Sequence, residues 1–210
     1  MYISAEAMAD WDKQYRAAFV NSLTGYKPAN LVGTCSAGGQ ENLAIMSSAV
    51  HLGSHPPLIM LVLRPDVAPR HTLDNIRATG HYTLSHVHET LIEPAHQTAA
   101  RYPREQSEFT ACGLTPAYRE GFGAPYVKEA FLSLGLSLRE EQRLAINGTH
   151  MVIGEVVWVS VPDNALRDDG SIDLYRSGSV ALAGVDSYYA PQPLCRMAYA
   201  KPDLPPRRID

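Results

Sequence analysis

The chain lacks long apolar runs, and this excludes a membrane-spanning segment. The longest uninterrupted apolar stretch is 58–63, far below the roughly 20 residues that a transmembrane helix needs. Asp10, Asp12, Lys13 and Arg16 interrupt the start of the chain, so a secretory signal peptide is not predicted either. We therefore predict a cytoplasmic protein without a membrane partner.

Cysteine and clustered positive charge are also scarce. The three cysteines, Cys35, Cys112 and Cys195, lie far apart, which argues against a disulfide framework and a zinc knuckle. The net charge is −4 and the basic residues form no run, so no nucleic-acid partner is predicted. With 45% hydrophobic residues in 210, the chain can bury a substantial core. We expect one domain over 1–210, with its core at about 28–190, an N-terminal lead-in and a Pro-rich C-terminal tail.

Several catalytic signatures are absent. The sequence has no Gly-x-Gly-x-x-Gly after a strand, no Gly-x-x-x-x-Gly-Lys and no His-Glu-x-x-His. These absences argue against a Rossmann dinucleotide site, a P-loop and a zincin. Gly-x-Ser-x-Gly does not occur at a strand-to-helix turn, which argues against an α/β-hydrolase.

Periodicity predicts a mainly β protein, an antiparallel β-barrel with added helices. Three strands are predicted as a meander over 31–36, 42–50 and 58–64, and a helix over 70–80 ends at Gly80. The remaining predicted segments are a strand over 81–87, a helix over 91–101, an irregular segment over 102–125, and strands over 130–139 and 151–161. Because no β-α-β rhythm appears, a doubly wound parallel sheet is not predicted.

Two patches suggest a cofactor site. The strand 42–50 contains the small residues Ser47 and Ser48, beside which a flat ring system could approach the backbone. Arg70, His71 and Thr72 open a predicted helix, and free N–H groups beside a guanidinium form an anion site. A phosphate-bearing cofactor with a flat ring would satisfy both patches. The alternative is purely structural: Ser47 and Ser48 would form an ordinary strand end, and Arg70, His71 and Thr72 a capped helix start.

A histidine group offers a different function. His81, His86 and His88 lie close in sequence, and the last two would share a strand face and could bind a metal, as in a metal-dependent hydrolase. No acidic residue or cysteine lies nearby at the spacing of a metal ligand. The three histidines can equally be partly exposed residues of a strand, and no metal site is predicted.

An ordered set of short motifs is similar to the flavin reductase-like, flavoredoxin-like family. No single motif is specific, but their order over 28–190 is. The matching segments are Pro28 to Thr34, Asn42-Leu-Ala, Ser47-Ser48, Pro56-Pro57-Leu58, Arg70 with Thr72 and Asn75-Ile76, Ser107-Glu108-Phe109, Cys112-Gly-Leu114, His150 with 152–156, and Gly184 to Tyr189.

This resemblance implies an FMN-binding split barrel, usually a homodimer with the flavin near the subunit interface. It places Asn42, Met46, Ser47, Ser48, Ala49 and Val50 at the flavin, Arg70 and Thr72 at the phosphate with help from Arg64 and His71, Asn75 in the same cofactor site, and His150 and Tyr188 near the exposed ring face. This chain has His71 at a position where the family commonly has an acidic residue.

The implied reaction is hydride transfer from NADH or NADPH to FMN and onward to an acceptor. No catalytic residue is assigned. His150 is the candidate for positioning the nicotinamide, and a satisfied histidine within a strand is the alternative. An FMN electron carrier without NAD(P)H activity, or a flavin-binding module without turnover, would share the same flavin site.

Overall fold

The computed structural model describes residues 1–65 and 71–209. The helices are α1 Ala5–Ala9, α2 Lys13–Ser22, α3 His71–Thr79, α4 Ile92–Gln97 and α5 Glu108–Ala111. The strands are β1 Lys27–Pro28, β2 Asn30–Cys35, β3 Glu41–Met46, β4 Ala49–Ser54, β5 Pro57–Leu63, β6 His81–His86, β7 Pro116–Ala117, β8 Tyr126–Val127, β9 Ser133–Arg143, β10 His150–Ser160, β11 Ala181–Ala183 and β12 Ser187–Tyr189. Short 3-10 turns cover Glu89–Leu91 and Asp163–Ala165. Within the described ranges, no helix is long and apolar enough to cross a membrane.

The central feature is a seven-stranded antiparallel sheet in the order β3-β2-β6-β9-β10-β5-β4. Its two edge strands, β3 and β4, are joined by only two residues, Ser47 and Ser48. Because so short a link forces the two edges together, the sheet must roll into a barrel. The prediction of a mainly β barrel with added helices is confirmed.

This closure corrects the predicted meander. The segment 42–50 was predicted to be one strand, but it divides at Ser47–Ser48 into β3 and β4. The two halves lie at opposite edges of the sheet, so β2 pairs with β3 and β6, whereas β5 pairs with β4 and β10. Pairing across the whole sheet overrides the local strand pattern here.

Two apolar clusters lie on the two faces of the sheet. The interior cluster is built from Val32, Leu61, Leu63, Leu73, Ile76, Tyr82, Leu84, Leu132, Leu134, Leu136 and Val152. The strand predicted over 130–139 begins only at Ser133, but Leu134 and Leu136 of β9 and Leu132 just before it all belong to this cluster, as alternation predicts. Helix α3 contributes Leu73 and Ile76 and so closes one end of the barrel. The outer cluster joins Leu31 and Leu43 to residues of the helical segments, among them Leu91, Ala95 and Phe109.

Glycine allows close packing on the outer face of the barrel. A Cβ atom at Gly33 would lie 2.1 Å from the carbonyl oxygen of Pro125, and Thr83 Oγ1 donates to the same oxygen at 2.6 Å. At Gly135, a Cβ atom would lie 2.0 Å from Nε1 of Trp158. Such distances exclude any larger side chain. The end of segment 102–125 can therefore lie directly on the sheet.

Other predicted elements differ at their ends. Helix α3 ends before Gly80, which has φ +73°, as predicted. The helix predicted over 91–101 is shorter, because Thr98 caps it by donating from Oγ1 to the Ala95 carbonyl at 2.7 Å. Segment 102–125 is not wholly irregular, since it contains α5 and β7. The N-terminal lead-in contains two short helices, α1 and α2, which bury no residue.

Candidate functional site

A buried hydrogen-bond network joins three of the predicted site residues. Asn42 Nδ2 donates to Thr34 Oγ1 at 3.1 Å and to Thr72 Oγ1 at 3.0 Å. Asn75 Nδ2 donates to the same Thr34 oxygen at 3.1 Å. All four side chains are buried. Since a buried polar group is costly unless it is paired, these contacts fix the start of α3 against β2 and β3.

Two residues that were not predicted complete this region. Arg104 Nη2 donates to Asn75 Oδ1 at 3.2 Å, and Glu108 Oε2 accepts from the Leu43 backbone N–H at 2.9 Å. A small polar cleft opens beside them and is lined by Ser36, Gln40, Glu41, Asn42, His71, Asn75, Arg104, Gln106 and Glu108. The Ser107-Glu108-Phe109 motif was the available signal for Glu108. Nothing periodic marked Arg104.

The segment 46–50 forms the second patch. Ser48 Oγ donates to the Val62 carbonyl at 2.7 Å, and the Val62 N–H donates to the Ser48 carbonyl at 3.2 Å. Met46 and Ala49 pack against the interior cluster, whereas Val50 is 49% exposed. The Ser47–Ser48 link is therefore held against β5, with an exposed face beside it.

The two patches lie toward opposite ends of β3. Asn42, near its start, contacts Thr72 at the start of α3, and Met46, at its end, leads into the Ser47–Ser48 link. At about 3.3 Å per residue, Asn42 and Met46 are separated by about 13 Å. Any single ligand that touches both patches must therefore be elongated.

Of the basic residues predicted for an anion, the structure describes Arg64 and His71. His71 is the first residue of α3 and is half-buried. Arg64 follows β5 and is exposed. Arg70 lies outside the described residues. The first turn of a helix presents N–H groups and the positive end of the helix dipole, so His71 and Thr72 lie where a phosphate would find donors.

Tyr188 lies apart from these patches in its described contacts. It belongs to β12 in a separate three-stranded sheet and packs against the outer cluster. Its hydroxyl shares a 3.1 Å hydrogen bond with His96 Nδ1. Burial raises the pKa of Tyr188, and the Asp186 charge adds to the increase.

His150 is a fully buried residue at the start of β10. Its Nδ1 shares a 2.8 Å hydrogen bond with Glu141 Oε1. Arg77 Nε donates to Glu141 Oε2 at 2.8 Å. The hydrogen bond from Arg77, reinforced by that of His150, lowers the pKa of Glu141 although burial opposes the change. This geometry holds one ring nitrogen of His150, Nδ1, against Glu141 within the strand.

The three histidines considered for a metal point to other partners. His88 uses both ring nitrogens, with Glu129 O at 3.0 Å and Thr90 Oγ1 at 3.1 Å. His86 Nδ1 shares a 2.9 Å hydrogen bond with Ser179 Oγ, and the His81 ring packs on Phe122. Over residues 1–65 and 71–209, no group of three His, Cys, Asp or Glu residues could hold a metal. The metal-dependent hydrolase therefore has no structural support.

Comparisons with known proteins agree with this architecture. A family model described as "Flavin reductase like domain" matches residues 26–181. A crystal structure from Shewanella frigidimarina NCIMB 400, of a split-barrel protein with the provisional name flavin reductase, is 50% identical with a TM-score of 0.92, over 95% of this chain and 100% of that chain. Flavoredoxin of Desulfovibrio vulgaris (Miyazaki F) is 26% identical with a TM-score of 0.73, over 97% and 98% of the two chains.

A more distant structure shows the same fold alone. An FMN-binding protein from Thermus thermophilus is 16% identical with a TM-score of 0.65, over 80% of this chain and 88% of that chain. Together the comparisons establish the fold as a split barrel.

Proposed function

Because the chain belongs to the family of flavin reductase-like domains, we propose that it is an FMN-binding oxidoreductase that takes hydride from NADH or NADPH. The observation that carries this proposal is the family match over residues 26–181. It spans both patches of the candidate site and every predicted site residue except Tyr188.

The residues present fit such a cofactor. The Ser47–Ser48 link with Ala49 and Val50 offers small side chains and an exposed face for a flat ring. Arg64, His71 and Thr72, together with Arg70, offer cationic and N–H donors for a phosphate. FMN is elongated, with its ring and phosphate at opposite ends, as the separation of the two patches requires.

In this proposal the protein binds and orients, and bound FMN supplies the hydride-accepting chemistry. Met46, Ser47 and Ser48 would position the ring beside β5. Asn42 would act through Thr72, and Asn75 through Thr34, by holding the start of α3 where its N–H groups meet the phosphate. No side chain needs to act as an acid or base.

We propose in addition that the protein is a cytoplasmic homodimer. Strand β4 is an edge of the sheet, and its Val50 and Leu52 are 49% and 47% exposed. Exposed apolar residues on an edge strand are typical of a surface that another chain covers. This surface adjoins the proposed ring patch, so a second copy would lie close to the flavin.

The test is an anaerobic absorption spectrum of purified protein loaded with FMN, before and after NADH or NADPH. Flavin bands that bleach within seconds support the proposal. Dithionite provides the control for complete reduction. A protein that neither carries flavin nor binds added FMN would overturn the proposed function.

An FMN electron carrier without NAD(P)H activity is the second candidate. The observation that favours it is the complete burial of His150, which leaves the proposed nicotinamide-positioning residue without a surface for a nucleotide. Flavin bands that persist with NADH and NADPH but bleach with dithionite would identify this carrier.

A further inference from the structure

Asn30, the first residue of β2, has a buried amide with an unused acceptor. Its side chain is 1% exposed, and its Oδ1 has no hydrogen-bond partner within residues 1–65 and 71–209. An unsatisfied buried polar group costs about 1–3 kcal/mol. A donor from outside the chain would remove that cost, and this makes Asn30 a candidate binding residue.

The register places Asn30 beside the Ser47–Ser48 link. Its Cα pairs with that of Met46, the residue before the link, and with that of His86 on the other side. Thr34, four residues further along β2, contacts α3, so Asn30 lies at the barrel end away from α3.

Alternation along β2 directs the Asn30 side chain inward. Ala29 and Leu31 belong to the outer cluster, whereas Val32 belongs to the interior cluster. Because residues i and i+2 of a strand face the same side, Asn30 shares the inward face with Val32. Met46, opposite it, packs against the same interior cluster.

The ring of His86, which is opposite Asn30 in β6, carries no charge at neutral pH. Burial lowers the pKa of His86 to about 4, so its ring is neutral there. The His86 ring bonds Ser179 Oγ, which lies 2.8 Å from Ser177 Oγ. A neutral N–H donor therefore suits this environment better than a cation, which would find no balancing carboxylate among these neighbours.

We propose that Asn30 Oδ1 accepts a hydrogen bond from the imide N3–H of the flavin ring and fixes which edge of the ring enters this end of the barrel. The inference rests on the proposed FMN binding. In oxidised flavin, N3–H is the only ring N–H, and the neighbouring carbonyls and N5 are acceptors. An unpaired acceptor selects that edge, and the Asn30 amide N–H can donate to an adjacent ring carbonyl.

The test compares FMN with N3-methyl-FMN, which lacks this donor. Dissociation constants are measured by flavin fluorescence titration of the apoprotein, for the wild type and for Asn30→Leu. We expect the wild type to bind FMN about 5- to 30-fold more tightly than N3-methyl-FMN, as one to two kcal/mol imply. In Asn30→Leu the two ligands should bind alike. The melting temperature of the apoprotein should not fall, because the variant removes an unsatisfied amide.

Ser133→Ala is the matched control. Ser133 is also buried in the sheet, but its Oγ donates to Ser85 Oγ at 3.0 Å, so the variant should retain the wild-type preference for FMN. If Asn30→Leu does not fold, Asn30→Ala removes the same acceptor without a bulky replacement. An unchanged preference in the Asn30 variant would overturn this inference while leaving FMN binding intact. Failure of the wild type to bind FMN would overturn the proposed function itself.

Discussion

At the scale of single residues, His86 links the stability of the fold to pH. Burial lowers its pKa to about 4 from an ordinary 6.5. Between these values the unfolded chain binds a proton that the folded chain excludes, so the stabilisation is complete above about pH 6.5 and is lost as the pH falls toward 4. His86→Gln should remove up to about 3 kcal/mol of this dependence. Urea unfolding of the apoprotein from pH 7 to about 4 measures it.

The control for His86 is His51→Gln. His51 lies exposed on β4, where its ring meets water in both the folded and unfolded states. This variant should reproduce the wild-type pH dependence. If His86→Gln reproduces it as well, the dependence belongs to carboxylates such as Glu141, whose pKa is lowered mainly by Arg77.

At the scale of elements, backbone N–H groups on the unpaired edge of β3 donate to side chains rather than to a neighbouring strand. The Leu43 N–H donates to Glu108 Oε2 at 2.9 Å, and the Ile45 N–H donates to Thr98 Oγ1 at 2.8 Å. Glu108→Ala should destabilise the fold by about 2 kcal/mol, because it leaves a buried N–H without its charged acceptor. Thr98→Val should cost about 1 kcal/mol. Urea unfolding measures both losses, and hydrogen exchange at Leu43 and Ile45 should accelerate.

Glu105→Ala provides the comparison for Glu108→Ala. Glu105 lies three residues earlier and is exposed, so its loss should change the unfolding free energy by less than about 0.5 kcal/mol. Equal effects of the two substitutions would show that Glu108 contributes only surface charge and that the edge of β3 is satisfied in another way.

The strands and helices also show which parts of the fold the sequence alone could predict. Local patterns were sufficient for Leu134 and Leu136 in β9 and for the end of α3 at Gly80, because alternation and a left-handed glycine act within a few residues. The division at Ser47–Ser48 was missed, since it depends on which distant strands β3 and β4 join. Tertiary pairing of this kind leaves no signal in a short window.

Some residues of the candidate site could likewise be predicted from the sequence, and others could not. Motif order suggested Asn42, Thr72 and Asn75 together, and the structure brings their side chains into one network. Their shared partner, Thr34, lies 41 residues from Asn75, so no spacing rule could reveal it. Arg104 belongs to a segment without periodicity, and it reaches Asn75 only through the folded chain.

At the scale of the whole molecule, the exposed apolar residues of β4 should control assembly. Leu52 is 47% exposed on an edge strand, and burying it against a second chain would contribute about 1–2 kcal/mol from each copy. Leu52→Glu would instead place two carboxylates at the interface, at a cost of several kcal/mol. Light scattering coupled to size exclusion should therefore show two chains per particle for the wild type and one for this variant.

Ile146→Glu controls for the introduced charge. Ile146 is 89% exposed in the turn between β9 and β10, so the variant should remain dimeric. Because the proposed ring patch adjoins Leu52, the monomeric Leu52→Glu chain should also bind FMN more weakly, whereas Ile146→Glu should bind it as the wild type does. A Leu52→Glu protein that stays dimeric would show that the dimer interface does not include β4. A wild-type protein that is monomeric at all concentrations would contradict the proposed homodimer.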